Sequence, residues 1–326
     1  MFHYDGGLRI TSIDLAVDVR RRQPRGFISH AHTDHMARHE LAYCTPATAA
    51  LYQHRYGARL THPMPFGEPL AFGELTLTTH PAGHVFGSAM LSISGPAGTV
   101  LYTGDFKLRP SATAEAAAPP HAEVLIMEST YGDPRYRLPP REETILQLVA
   151  TVQQILDAGR TPLVHAYVLG KAQEVTRILS DAGLRVMQHP LVYAISEIYA
   201  RCGCDLGRYE PYPPFPTGQS PDAVVVVPPR SQRVPVLPGL RRPVSIAVTG
   251  WAVNPAWRWR LGADYAFPLS DHADFDELGE CIERVNPAVV YCTHGPPEFV
   301  QLLRRRGHNA HCLEECRVGP LRLSHS

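Results

Sequence analysis

The segment Ser29-His30-Ala31-His32-Thr33-Asp34-His35 gathers three imidazoles and a carboxylate between positions 30 and 35. Neutral imidazole nitrogen and carboxylate oxygen are both zinc donors. His30 and His32 are two residues apart, so they face the same way if the extended backbone expected at 26–29 continues. Asp34 and His35 then turn toward a second point, and the whole motif is suited to feeding two adjacent metal ions. A patch of surface histidines is the plain alternative, but such patches rarely follow an apolar strand with this spacing. His84, in the glycine-containing loop His80-Pro81-Ala82-Gly83-His84, and Asp105, closing an apolar run at 99–105, read beside this motif as further ligands. A carboxylate placed like Asp105 can bridge two metals. His272 and His294 also close apolar stretches, and for them the pattern alone leaves strand capping and metal chemistry equally open.

These residues need elements to position them. Short apolar runs at 8–14, 26–29, 75–80, 89–94, 99–105 and 124–130 read as strands, with a helix at 46–56. Many strands with few helices point to packed sheets. The texture changes after Tyr131. Positions 133–141 read as a linker, followed by an amphipathic helix in which Ile145, Leu148, Val149, Val152, Ile155 and Leu156 recur at helical spacing before Gly159. Strands at 161–167 and 184–189 then alternate with helices at 171–182 and 192–202, the pattern of a parallel α/β unit. Strands at 223–227 and 245–249 extend it, and proline-rich turns cover 211–221 and 228–238. Short elements return near the end, with strands at 263–268 and 288–292 and helices at 275–285 and 297–306.

With 326 residues and 44% hydrophobic composition, the chain can bury a core and divides naturally into about two domains. Lys plus Arg equals Asp plus Glu, 31 each, which argues against a partner held by bulk charge. No apolar run approaches the roughly 20 residues of a membrane span, and the N-terminus carries no basic-then-apolar leader, so a cytoplasmic protein without a membrane partner is expected. Seven scattered cysteines make no disulfide framework and no C-x-x-C zinc ribbon.

The ordered set resembles the metallo-β-lactamase fold, and specifically its β-CASP nuclease branch. Asp18 matches the first motif, His30, His32, Asp34 and His35 the second, His84 the third and Asp105 the fourth. Glu128, His272 and His294 match the branch's motifs A, B and C, and Gly170-Lys171-Ala172-Gln173 resembles a helix start of its inserted domains. The resemblance covers nearly the whole chain and is nearest to the bacterial DNA-ligase-associated exonuclease group. It implies an α/β fold: an αββα sandwich from 1–132 and 263–326, with an inserted α/β cap at 133–262.

The resemblance also implies two Zn²⁺ ions, with Mn²⁺ an alternative. His30, His32 and His84 would hold one, Asp34, His35 and His294 the other, and Asp105 would bridge both. His272 becomes the general acid, oriented by Glu128. Asp18 and Asp271 support the ligands from behind. Lys171 and the backbone of Gly170, with Ser129 and Thr130, are candidates to grip phosphate. Arg20–Arg22 and Arg304–Arg306 could form a phosphate track and Trp251 could stack on a base, but solvated faces and a core ring are the preferred readings. The expected activity is phosphodiester hydrolysis on single-stranded DNA ends in repair, with a DNA ligase and helicase as partners by family association. RNA processing stays open, because His at motif C is common among RNA-processing members. A thioester or lactone hydrolase is the alternative of another class, although it needs neither a cap nor the Glu128, His272 and His294 series.

Overall fold

The computed structural model describes residues 2–213, 222–229, 237, 240 and 242–315. The expected proline-rich turns at 211–221 and 228–238 lie largely outside the described residues. Two compact units result, the first from Met1–Pro110, Ala114–Pro134 and His272–Ser326, the second from Ser111–Thr113 and Arg135–Asp271.

The first unit opens with six short strands lying in chain order in one sheet: β1 (Phe2–Tyr4), β2 (Leu8–Ile10), β3 (Leu15–Val17), β4 (Arg25–Phe27), β5 (Leu41–Cys44) and β6 (Leu60–Pro63). The strand expected at 8–14 is in fact β2 followed by a 3-10 turn, Thr11–Ile13. Between β5 and β6 runs α1 (Pro46–Tyr56). Thr45 caps it by accepting from Thr48 N at 3.2 Å, and Pro46 fits the first turn, where no donor is needed. A second sheet starts with β7 (Leu70–Phe72), β8 (Leu75–Pro81), β9 (Ala89–Gly95), β10 (Gly98–Tyr102) and β11 (Val124–Glu128).

The second unit holds α2 (Arg141–Asp157), β12 (Thr161–His165), α3 (Lys171–Asp181), β13 (Val186–Gln188), α4 (Pro190–Arg201), β14 (Tyr209–Pro211), β15 (Val224–Val227), β16 (Pro243–Val248), α5 (Ala256–Arg260) and β17 (Tyr265–Phe267). Its sheet is parallel throughout, in the order β14-β13-β15-β12-β16-β17. β15 is an unbroken valine run because both of its faces are covered: Val224 and Val226 join one core cluster, Val225 and Val227 another. β17 pairs with β16 through Ile246 and Tyr265. Residues 263–271 therefore belong with the second unit rather than with the final segment of the first, where the sequence reading ended the cap at 262.

The chain returns to the first unit with α6 (Phe275–Val285), β18 (Val289–Thr293), α7 (Pro297–Arg305) and β19 (Ala310–Cys312), completing a seven-stranded sheet in the order β19-β18-β11-β10-β9-β8-β7. Alternation on β10 assigns its faces. Val100 and Tyr102 join the core shared with the first sheet, while Leu101 joins the core shared with α6 and α7. Leu125 of β11 is fully buried among the latter, so Leu125→Ala would cost about 2–5 kcal/mol. Two facing sheets with helices outside are the αββα arrangement. Every residue described next at the metal centre belongs to this unit, most of them on loops at strand ends.

Candidate metal centre

The His30–His35 segment is a loop rather than a continued strand, yet its donors still converge. His30 Nε2 lies 3.0 Å from His32 Nδ1, and His84 Nε2 lies 3.1 Å from the same atom. Asp105 Oδ2 stands 3.5 Å from His30 Nε2 and 3.8 Å from His84 Nε2. Donors at about 2.0–2.1 Å from a tetrahedral zinc sit roughly 3.3 Å from one another, so this quartet fits one ion. Ser29 Oγ, 2.9 Å from His30 Nδ1, turns the opposite nitrogen toward the cluster. Burial, then the nearby His35 and His84, push His30 well below its ordinary value, toward the neutral ring that ligates.

A second group, His35, Asp105 and His294, shares the Asp105 carboxylate. His35 Nε2 is 3.3 Å from Asp105 Oδ2, and His294 Nδ1 is 3.9 Å from Oδ1. Behind His35 stands Asp18, whose Oδ2 accepts from Ser29 Oγ at 2.5 Å and Tyr102 OH at 2.9 Å and lies 2.8 Å from His35 Nδ1. That contact fixes Nδ1 as the protonated nitrogen and leaves Nε2 for Asp105 and a metal. Burial opposes a charge on His35, but Asp105 and Asp18 outweigh it and hold the ring well above its ordinary value. For Asp105, burial is outweighed by His35 and His272, so the carboxyl stays well below its usual range. Asp18 and His294 both adopt positive φ, 49° and 54°, a region that non-glycine residues seldom occupy.

Glycine makes the close approach possible. Gly104 has φ +56°, and a Cβ there would stand 2.8 Å from Ser29 Cβ, so only glycine lets the Asp105 loop meet the histidine loop. The far side of that loop is pinned by α6. Glu277 Oε1 accepts from Leu108 N and Arg109 N at 2.8 and 2.6 Å, while its Oε2 accepts from Asp274 N in a capping box. The residue types alone gave no sign that Glu277, Ser29 or Tyr102 would serve the site.

Glu128, at the end of β11, is 1% exposed. Its oxygens each lie 3.0 Å from His272 Nδ1, and they accept from Phe106 N at 2.8 Å and Thr130 Oγ1 at 2.5 Å. The His272 ring lies 4.6 Å from that of His84. A carboxylate on Nδ1 fixes the tautomer, so proton exchange at this ring runs through Nε2.

Other expected site residues are placed differently. Asp34 stands outside these groups, half-exposed, with Oδ2 3.9 Å from His35 Nε2, and Arg20 donates to its backbone oxygen at 3.2 Å. Arg20 therefore touches the ligand loop, which its sequence distance had hidden. Lys171 does not present its ammonium to solvent. It is buried in the second unit, 2.7 Å from Glu174 and 2.5 Å from Asp271. Asp271 correspondingly faces Lys171. The Gly170 N–H is taken by Gln173 Oε1 at 2.8 Å. Ser129 is buried, donating N and Oγ to Thr293 O, and Thr130 donates to Glu128. Four intended phosphate contacts are thus engaged within the protein. Trp251, read as a core ring, is only half-buried.

Sandwich and donor set together fit a metal-binding αββα fold with an added α/β unit. Residues 265–318 match the family described as the Zn-dependent metallo-hydrolase RNA specificity domain. A probable DNA ligase of Opitutus terrae is 39% identical over 319 residues, covering 96% of this chain and 31% of the relative. The 5' exonuclease Apollo of Gallus gallus is 30% identical over 198 residues, 56% of this chain and 43% of that protein. A crystal structure of a protein of unknown function from Enterococcus faecalis V583 shares the fold, with a TM-score of 0.61 and 17% identity over 91% of this chain and 79% of that one. These matches indicate a metallo-β-lactamase/β-CASP nuclease family. The chain spans about a third of the length of the first relative and less than half of the second. Among the described residues, no helix is long and apolar enough to cross a membrane.

Proposed function

We propose that this chain is a two-zinc nuclease that hydrolyses phosphodiester bonds at single-stranded DNA ends. The observation that carries this is the Asp105 carboxylate shared between the His30, His32 and His84 cluster and the His35 and His294 pair. His30, His32 and His84 would hold one ion and His35 and His294 the other, with Asp105 common to both; the resemblance adds Asp34, whose Oδ2 lies 3.9 Å from His35 Nε2, to the second. Metals in such a pair supply Lewis acidity and lower the pKa of a water nucleophile. The protein's own part is to place donors and handle the proton. Asp18 and Ser29 orient His35 and His30, and Glu128 holds His272 so that Nε2 can protonate the leaving oxygen.

The DNA assignment draws on the probable ligase, in which a segment similar to 96% of this chain occupies 31% of the protein. A relative that carries this segment together with a ligase supports a DNA ligase as partner, while a helicase rests on the family resemblance alone. RNA is the second reading, favoured by the RNA specificity domain matched at 265–318 and by His294 within it.

The test is elemental analysis of the preparation used to digest end-labelled single-stranded DNA and RNA, with and without a 5′-phosphate. About two zinc ions per chain with stepwise DNA shortening is expected. Cleavage of RNA alone would transfer the chain to RNA processing. A fully metallated protein that cleaves neither polymer would sink the nuclease reading, and manganese in place of zinc would change only the metal.

A further inference from the structure

All three tryptophans of the chain fall between positions 251 and 259, and the last two alternate with arginine in Trp257-Arg258-Trp259-Arg260. They sit in the second unit, on the 3-10 turn Gly250–Val253 and on α5. Trp251 and Trp257 stack, with ring centres 5.4 Å apart at 30°, and Tyr136 meets Trp251 edge-on at 5.2 Å. Trp259 stays outside that stack and is 75% exposed. The Arg258 guanidinium lies over its ring, 4.6 Å from the centre, and Arg260 lies over Trp257 at 5.4 Å.

A groove of about 690 Å³ opens beside these residues, lined by Gln147, Arg258, Trp259 and the exposed Tyr265 among others. Among the described residues, no acidic side chain lines it. The neighbouring Asp264 is engaged in accepting from Ser245 N at 2.7 Å.

An indole left in water forgoes the gain of burial, and an arginine on its face adds positive charge that suits an anion. Flat π-faces interleaved with guanidinium groups match the two chemistries of a nucleotide, its base and its phosphate. Arg258 in the groove and Arg260 over the adjoining Trp257, with no acid among the described lining residues, favour that ligand over an apolar peptide. We propose that this patch is a stacking platform for a single-stranded segment of nucleic acid, with a base on Trp259 and a phosphate at Arg258 or Arg260. The ligand class follows from the nuclease proposed above, but the residues are independent of the metal centre.

Because no tryptophan lies elsewhere in the chain, fluorescence excited selectively in tryptophan rather than tyrosine reports on this patch alone. The full chain would be titrated at low salt with phosphorothioate-linked oligothymidylate of about ten nucleotides, and in parallel with the matching oligouridylate. Saturable quenching by either single strand is expected. In anisotropy measurements with labelled strands, Trp259→Ala should weaken binding about tenfold, the size of one base stack, and Trp259→Phe should restore it. Arg258→Glu should weaken binding and flatten its salt dependence. Trp259 is exposed, so an unchanged melting temperature is expected for its variants. Absence of quenching by both polymers, unchanged affinity in Trp259→Ala, or equal quenching by a duplex would overturn the proposal. Cleavage without quenching would remove the platform and leave the nuclease reading intact. Quenching without cleavage would support the platform and remove the nuclease reading.

Discussion

In the first unit, His30, His32, His84 and Asp105 turn imidazole nitrogens and a carboxylate toward one point at separations of 3.0–3.8 Å. In the second, Arg141, Glu174, Lys171 and Asp271 follow one another with alternating sign at 2.9, 2.7 and 2.5 Å. Both groups are buried and polar, and both contain motif residues. They differ in what would balance them. The ionic chain carries its own counter-charges, two of each sign, and can hold structure unaided. The imidazole cluster concentrates lone pairs that a cation would satisfy. Burial of polar groups therefore marks importance in both units, and only the donor–acceptor balance separates a ligand site from a structural tie.

The largest effect that could break this distinction is at Asp105. Asp105→Ala should reduce zinc content and lower phosphodiesterase turnover on the order of 10³-fold, measured by elemental analysis and oligonucleotide digestion. Wild-type turnover in that variant would remove the shared-carboxylate proposal. His272→Ala should lower kcat by about 10²–10⁴-fold while zinc stays at the wild-type level, as befits a proton donor. Zinc loss there would make His272 a ligand. In the second unit, Lys171→Met strips buried Asp271 of this counter-charge and should cost about 3–5 kcal/mol in urea unfolding, with zinc content unchanged. The double variant Lys171→Met with Asp271→Leu should be milder than the single one, because Arg141 still balances Glu174. A fall in zinc on losing Lys171 would show that the two clusters are not independent.

The convergence of the candidate metal donors was legible because these residues are chemically rare and lie beside apolar strands. His30, His32, His35, His84, Asp105 and His294 come together from loops at separate strand ends. A lysine at a helix start looks available to phosphate until Asp271, a hundred residues later, is folded against it. Strands such as Phe2–Tyr4 and Leu70–Phe72 have three residues each, too few to display alternation. Helix α5 has five residues, so its tryptophans and arginines show no helical period. Glu277 reads as an ordinary capping residue, and only the fold reveals that its second oxygen pins the loop after Asp105. Local pattern thus finds groups that are unusual in themselves, whereas long-range pairing of common groups needs the tertiary structure.

The smallest effect sharpens the comparison through pH. Burial pushes the thiols of Cys44, Cys281 and Cys292, all in the first unit, from 9.0 to about 12. For Lys171, burial acts downward, but Asp271 and Glu174 outweigh it and raise the ammonium above 10.5. Each folded group therefore holds its proton more tightly than the unfolded chain does. Their stabilisation is complete below the unfolded values and is lost as pH rises through the folded ones. The thiol contribution starts to fall near pH 9, whereas that of Lys171 persists beyond 10.5. Each thiol changes stability by about 1.4 kcal/mol per pH unit once its unfolded form has ionised. Urea unfolding at about pH 8 and pH 10 should show this decline, and Cys281→Ala should reduce the slope by about one proton while Lys171→Met leaves it unchanged over that interval. Identical slopes in wild type and Cys281→Ala would mean that the thiol ionises in the folded state, and that burial in the first unit excludes charge less strictly than the packing around α6 implies.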